Sequence, residues 1–122
     1  MIVAGFGFTS SATAASLENA LAATGYSDQI TLLAAPADKT MAAPMVALSR
    51  ARKLIVTSID ALQLKATKTR TQSATSQRAR GTGSVAEAAA LAAAGPGARL
   101  IASRHISDDR MATCAIAKGG DT

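Results

Sequence analysis

The chain has 122 residues, a formal net charge of +5 and one cysteine. That length suits one domain able to bury a core without covalent staples, and the lone Cys114 excludes an internal disulfide framework. Two phenylalanines and one tyrosine are too few for a platform that stacks single-stranded bases, and no apolar run reaches the ~20 residues that span a bilayer. The opening Met1-Ile2-Val3-Ala4-Gly5 has no basic segment ahead of its apolar stretch, so it does not resemble a signal peptide. The expectation is one cytoplasmic domain over residues 1–122, with a core of Ala, Val, Leu, Ile and Met.

Met1 to Phe6 is an apolar run ending beside glycine and predicts a buried parallel strand. A hydroxyl-rich loop follows, Gly7 to Ser11. Ala12 to Thr24 predicts a helix, with Leu17 and Leu21 one turn apart, Ser11 or Thr13 as N-cap and Gly25 at its C-terminal end. Ile30 to Ala35 predicts a second strand, stopped by Pro36. Met41 to Lys53 predicts a helix with Met45, Leu48 and Met41 as its inner-face residues, and with Arg50, Arg52 and Lys53 at the negative end of its dipole. Leu54 to Ser58 predicts a third strand, and Ile59 to Leu64 a short helix.

Thr67 to Arg80 has no hydrophobic period, and threonines, serines and bases alternate along it. A stretch of that kind is either disordered or functional, and mobility without a ligand is expected. Ser84 to Ala94 is the strongest local signal: Ser84 followed three residues on by Glu87 fits a capping box, and Gly95-Pro96-Gly97 ends the helix. Leu100 to Ser103 and Met111 to Ala117 predict a closing hairpin. The alternation gives a three-layer αβα fold: a five-stranded, mostly parallel sheet with an antiparallel C-terminal edge hairpin.

Charge is concentrated in residues 50–80, which carry eight bases against one acid, Asp60. That segment reads either as a solvated helix face plus loop or as a surface for a polyanion. Gly5-Phe6-Gly7-Phe8-Thr9-Ser10 begins like a dinucleotide fingerprint. Ser10 stands where its third glycine belongs, and no acid ends the second strand, since Asp38 lies beyond Pro36. What remains is either a tight turn or a helix N-terminus open to an anion, and Gly81-Thr82-Gly83-Ser84 opens a later helix in the same way. Glu87 is most simply the capping-box partner of Ser84. One histidine, His105 in a polar turn, and one cysteine, Cys114 within a strand, provide no metal-ligand spacing. No metal or cofactor is expected.

Gly81 to Gly95 (GTGSVAEAAALAAAG) resembles the C-terminal domain of the cobalamin-biosynthesis proteins CbiG and CobE. That family carries a Ser-Val-Ala-Glu-Ala-Ala-Ala-Leu helix, then a strand ending in a base, then an Ala-Thr-x-Ala-x-Ala strand. The matching segments here are Ser84 to Leu91, Leu100 to Arg104 and Ala112 to Ala117. The family's opening Gly-x-Gly strand is similar to Val3 to Gly7. Its Leu-Ala strand with a following lysine is similar to Leu33, Ala34 and Lys39, and its hydroxyl-bearing loop to Ser73 and Ser76. Where many CbiG-type chains have Cys-Arg-Arg, this one has Phe8-Thr9-Ser10. The N-terminal region of CbiG, a protein associated with opening the lactone ring of a cobalt-precorrin, has no counterpart here.

The resemblance implies a protein of corrin-ring biosynthesis that binds an acidic precorrin-type tetrapyrrole. Its expected ligand-binding residues are Gly5, Gly7, Phe8, Thr9, Ser10, Ser11, Lys39, Ser73, Ser76, Gly83, Ser84, Val85 and Arg104. Other corrin-pathway enzymes are the implied partners, with no specific nucleic acid and no membrane. The alternatives are a hydrolase acting on a precorrin lactone and a general anion or nucleic-acid binder. Aromatics and a recognised binding motif are both missing, so duplex DNA is expected to bind weakly and without sequence preference. Tight, sequence-selective binding at physiological salt in a titration would contradict this.

Overall fold

A computed structural model describes residues 1–120. Five strands form one sheet: β1 (Ile2–Phe8), β2 (Leu32–Pro36), β3 (Val56–Ile59), β4 (Arg99–Ile106) and β5 (Ala112–Lys118), in the order β3-β2-β1-β5-β4. β1 pairs with β2, and β2 with β3, in parallel; β5 runs antiparallel to both β1 and β4. Four strands therefore share one direction. The C-terminal hairpin forms as expected, with β4 at the edge and the reversed strand, β5, one place inside it.

Five helices flank the sheet: α1 (Ala14–Ala23), α2 (Ala43–Arg52), α3 (Ala61–Ala66), α4 (Ala74–Arg80) and α5 (Val85–Ala94). Strand alternation divides the core into two layers. Ala4, Phe6, Leu33, Cys114 and Ile116 face α1 and α2, meeting Leu17, Leu21, Met45 and Leu48. Val3, Ala34 and Ala117 face the other way, onto Ala88, Ala89, Ala90 and Leu64. Met41 precedes α2 and is exposed, so it has no place on that helix's inner face. Thr13 caps α1 in a reciprocal box with Ser16, and Asp60 caps α3 in another with Gln63. No helix among the described residues is long and apolar enough to cross a membrane.

Three further expectations change. The segment 67–80 is not without structure: Ser73 caps α4, and Gly81 ends it in the left-handed region at φ 71°. α4 buries no residue, which is why apolar periodicity gave no sign of it. His105 lies within β4 rather than in a turn, its Nδ1 2.7 Å from the carbonyl of Ser103. Gly5 and Gly7 sit inside β1 instead of forming a strand-to-helix turn. A Cβ on Gly5 would stand 2.2 Å from the carbonyl oxygen of Ala86 and 2.4 Å from the amide nitrogen of Ala90. The backbone of α5 thus rests directly on β1, and the alanines of α5 keep that contact close.

Gly5→Ala is therefore expected to destabilise the fold by about 3 kcal/mol, because the obstructing atoms are backbone and cannot swing aside. Urea unfolding checks this. A midpoint within error of wild type would contradict the close packing of α5 on β1.

Candidate functional site

A cleft of about 490 Å³ opens at the carboxyl ends of the parallel strands, where ligands bind in open α/β sheets. The end of β1 supplies Gly7, Phe8 and Thr9, and Pro36 and Lys39 follow β2. Ser73, Thr75, Ser76, Ala79 and Arg80 form a wall along α4, and Val85 opens α5. Arg104 and Ile106 come from β4, and Arg110 to Thr113 from the turn into β5. Gly7 keeps the floor low: a Cβ there would meet the Thr113 hydroxyl at 3.0 Å and Val85 at 3.2 Å.

The wall is cationic. Lys39, Arg80, Arg104 and Arg110 line it, and no acid, histidine or cysteine does. Arg80 is engaged by Asp38 through two contacts of 2.7 and 3.0 Å, and this hydrogen-bonded guanidinium holds the Asp38 carboxyl below its ordinary range. Among the described residues, the other three cations form no salt bridge. Lys39 places its Nζ 5.1 Å from the centre of the Phe8 ring, a cation–π distance. Ile106 and Met111, both partly exposed, add apolar surface beside Phe8 and Val85. Thr9 fixes the Met111 edge, with its amide donating to the Met111 carbonyl (2.9 Å) and its hydroxyl to Sδ (3.3 Å).

Of the residues expected from sequence, Gly7, Phe8, Thr9, Lys39, Ser73, Ser76, Val85 and Arg104 come together in this wall. Gly5, Ser10, Ser11, Gly83 and Ser84 lie outside it. Gly5 is covered by α5, and Ser10 and Ser11 are exposed beyond the rim. Gly83 sits beneath the chain at Thr71 and Gln72, and Ser84 is fully buried, capping α5. The start of α1 is not a free anion site either, because the Ser16 hydroxyl there donates to Asp109 at 2.5 Å.

Arg80 and Arg110 were not among the expected residues. Arg110 has a left-handed backbone, φ 61°, in the turn between β4 and β5. Asp109 braces that turn by accepting from Ser107 and from the amide of Met111. A base in the turn that closes a C-terminal hairpin was the available signal. Cys114 takes no part, since burial pushes its thiol well above the ordinary range and leaves it a core residue.

Glu87 is the largest departure from the sequence reading. Its amide does donate to the Ser84 hydroxyl (3.3 Å), which completes one half of the expected box. Its carboxylate turns elsewhere. Oε1 accepts from the amides of Arg70 (2.7 Å) and Thr71 (2.8 Å), and Oε2 from the Thr71 hydroxyl (2.6 Å) and the Arg104 amide (2.8 Å). Glu87 is fully buried. Burial alone would raise its pKa, but the Thr71 hydroxyl and the amides of Thr71, Arg104 and Arg70 outweigh that and hold the group below its ordinary value of 4.5.

Comparison with protein families matches residues 2–117 to "Cobalamin synthesis G C-terminus". The chain belongs to this family. Among solved structures, CobE, a protein from the cobalamin (vitamin B12) biosynthetic pathway, superposes with a TM-score of 0.84 at 28% identity, over 96% of this chain and 89% of CobE. Cobalamin biosynthesis protein chiG from Agrobacterium tumefaciens str. C58 gives 0.74 at 29%, over 99% and 100%. A cobalamin biosynthesis protein G homologue from Sulfolobus solfataricus shares the fold, with a TM-score of 0.71 at 15% identity; 95% of this chain aligns with 36% of that one. Comparison with curated proteins finds no match. The chain is thus a cobalamin-biosynthesis family member with a cationic cleft, and among its described residues no cluster of His, Cys, Asp or Glu could hold a metal.

Because the Glu87 pKa is depressed on folding, its contribution to stability is present above pH 4.5 and is lost as pH falls through the folded value. Glu87→Gln is expected to cost about 3 kcal/mol at neutral pH, as donors that served a charge lose it. The gap from wild type should narrow below pH 4.5. Urea unfolding at neutral pH and at about pH 3.5 checks the sign; a gap that widens in acid would contradict it.

Proposed function

We propose that this chain binds an acidic, precorrin-type tetrapyrrole in the cleft at the strand carboxyl ends and serves corrin-ring assembly by holding or delivering that intermediate. The observation that carries this reading is a wall with three cations free of salt bridges and no lining acid. A precorrin carries several carboxylates around a largely apolar ring. Lys39, Arg104 and Arg110 suit the carboxylates through charge-assisted hydrogen bonds. Ser73, Ser76 and Thr113 add neutral ones, and Phe8, Val85, Ile106 and Met111 suit the ring. The cleft volume falls within the range of small-molecule sites.

Membership of a cobalamin-biosynthesis family supports the substrate class. The hydrolytic alternative is not favoured, because no carboxylate, imidazole or thiol lines the wall to activate water or one of the hydroxyls. Other corrin-pathway enzymes are the natural recipients of a delivered intermediate.

The test is absorbance titration with coloured precorrins and with uroporphyrin, a stable tetrapyrrole polycarboxylate, at two salt concentrations. Lys39→Ala and Arg104→Ala are each expected to weaken binding by about 1–2 kcal/mol, the scale of one charge-assisted hydrogen bond. Arg70 and Arg78 lie outside the wall, so replacing them should chiefly slow association and flatten its salt dependence. Absence of binding at micromolar concentrations, or affinity untouched in both alanine variants, would overturn the reading.

A further inference from the structure

β4 gains a residue on β5 at two register shifts, one between Leu100 and Ala102 and a second between Ala102 and His105, and the second lies in the stretch that enters the cleft. Ala102 pairs with Ile116 and His105 with Cys114, so three steps along β4 match two along β5. An inserted residue reverses which face of the sheet the following side chains occupy. Without it, Arg104 would lie on the same face as Ala102, which packs in the α1–α2 layer. With it, Arg104 and Ile106 both line the cleft. The amide at this irregularity is the one that donates to Glu87.

The other donors to Glu87 come from the strap of residues 67–73 that leads into α4. That strap carries the cleft residue Ser73 and, through α4, Ser76 and Arg80. α4 buries nothing. Its ties to the rest of the molecule are polar: the strap's bonds to Glu87, the Ser73 amide on the Gly83 carbonyl at 2.7 Å, and the Arg80–Asp38 pair. One buried carboxylate therefore joins two opposite walls of the cleft.

We propose that Glu87 is a positioning residue of the cleft, holding the β4 irregularity that turns Arg104 inward and coupling it to the strap that carries the α4 wall. This rests on the reading of the cleft as a tetrapyrrole site. Glu87 touches no ligand; it acts through Arg104 and the strap. A glutamine side chain has the same size but offers one acceptor oxygen and one donor amide. Glu87→Gln must therefore present a donor either to the strap amides or to the Arg104 amide.

The experiment combines amide hydrogen exchange with uroporphyrin titration in wild type, Glu87→Gln, Arg104→Ala and the double variant. In Glu87→Gln, exchange at Arg70, Thr71 and Arg104 is expected to rise about tenfold more than exchange at the β1 and β5 core amides, whose own rise reports the global loss of stability. Uroporphyrin affinity is expected to fall about tenfold, and by distinctly less when Arg104 is already alanine. A rise at the three amides no greater than that of the core amides, or an equal affinity loss with and without Arg104, would overturn the proposal. Should Glu87→Gln not fold, Thr71→Val removes one donor alone and is expected to give the same pattern, with about a threefold loss of affinity; unchanged affinity would again overturn it. If wild type binds neither uroporphyrin nor a precorrin, the functional reading fails. Exchange at the three amides then decides the positioning role alone, a rise beyond that of the core amides upholding it and a rise no greater than theirs overturning it.

Discussion

The backbone of α5 lies on the backbone of β1, and the rest of the cleft follows from that contact. Only a residue without a side chain fits at Gly5, where the Ala86 carbonyl and the Ala90 amide leave no room. The contact brings the first turn of α5 down beside the carboxyl end of β1. Two residues apart on a helix point to nearly opposite sides. Val85 accordingly enters the cleft while Glu87 is buried against the strap and β4. A bulkier β1 would lift α5 and move both.

Glu87 shows how the fold can bury a charge beside a cationic site without neutralising the site. Removing a carboxylate from water is costly unless its oxygens are fully bonded. Here three backbone amides and one hydroxyl supply the bonds, and no arginine or lysine head group is used. Arg104 and Arg70 both contribute, but through their main-chain N–H groups. The Arg104 guanidinium remains available to the cleft. Arg80 is treated differently, since its guanidinium is already paired with Asp38 across the mouth.

Much of this architecture was legible in the sequence. Ser84 and Gly95 bound α5 where capping chemistry puts the ends, and the strand–helix alternation implied the layers and the closing hairpin. What was not legible depended on partners distant in the chain. α4 has no apolar stripe, because its ties run to Glu87, Gly83 and Asp38 and not into a core. The capping-box reading of Glu87 was half right for the same reason: local spacing showed its amide partner, while its carboxylate partners lay at Thr71 and Arg104. Gly5 looked like a turn glycine until the helix above it was in place. In the site, Lys39, Ser73, Ser76 and Arg104 came from family resemblance; Arg80, read only as one of the eight bases of residues 50–80, and Arg110 were not assigned to it, because sequence alone does not bring their elements to one mouth.

Among the described residues, no aspartate, glutamate, histidine or cysteine lines the cleft. Glu87 is buried and fully bonded, Asp38 is bound to Arg80, and Asp109 braces a turn. His105 precedes a cleft residue yet faces the opposite side, opposite Cys114 in the α1–α2 layer. The same extra residue that turns Arg104 toward the cleft turns His105 away from it. The edge strand thus presents the Arg104 cation to the cleft and keeps its imidazole on the opposite face of the sheet.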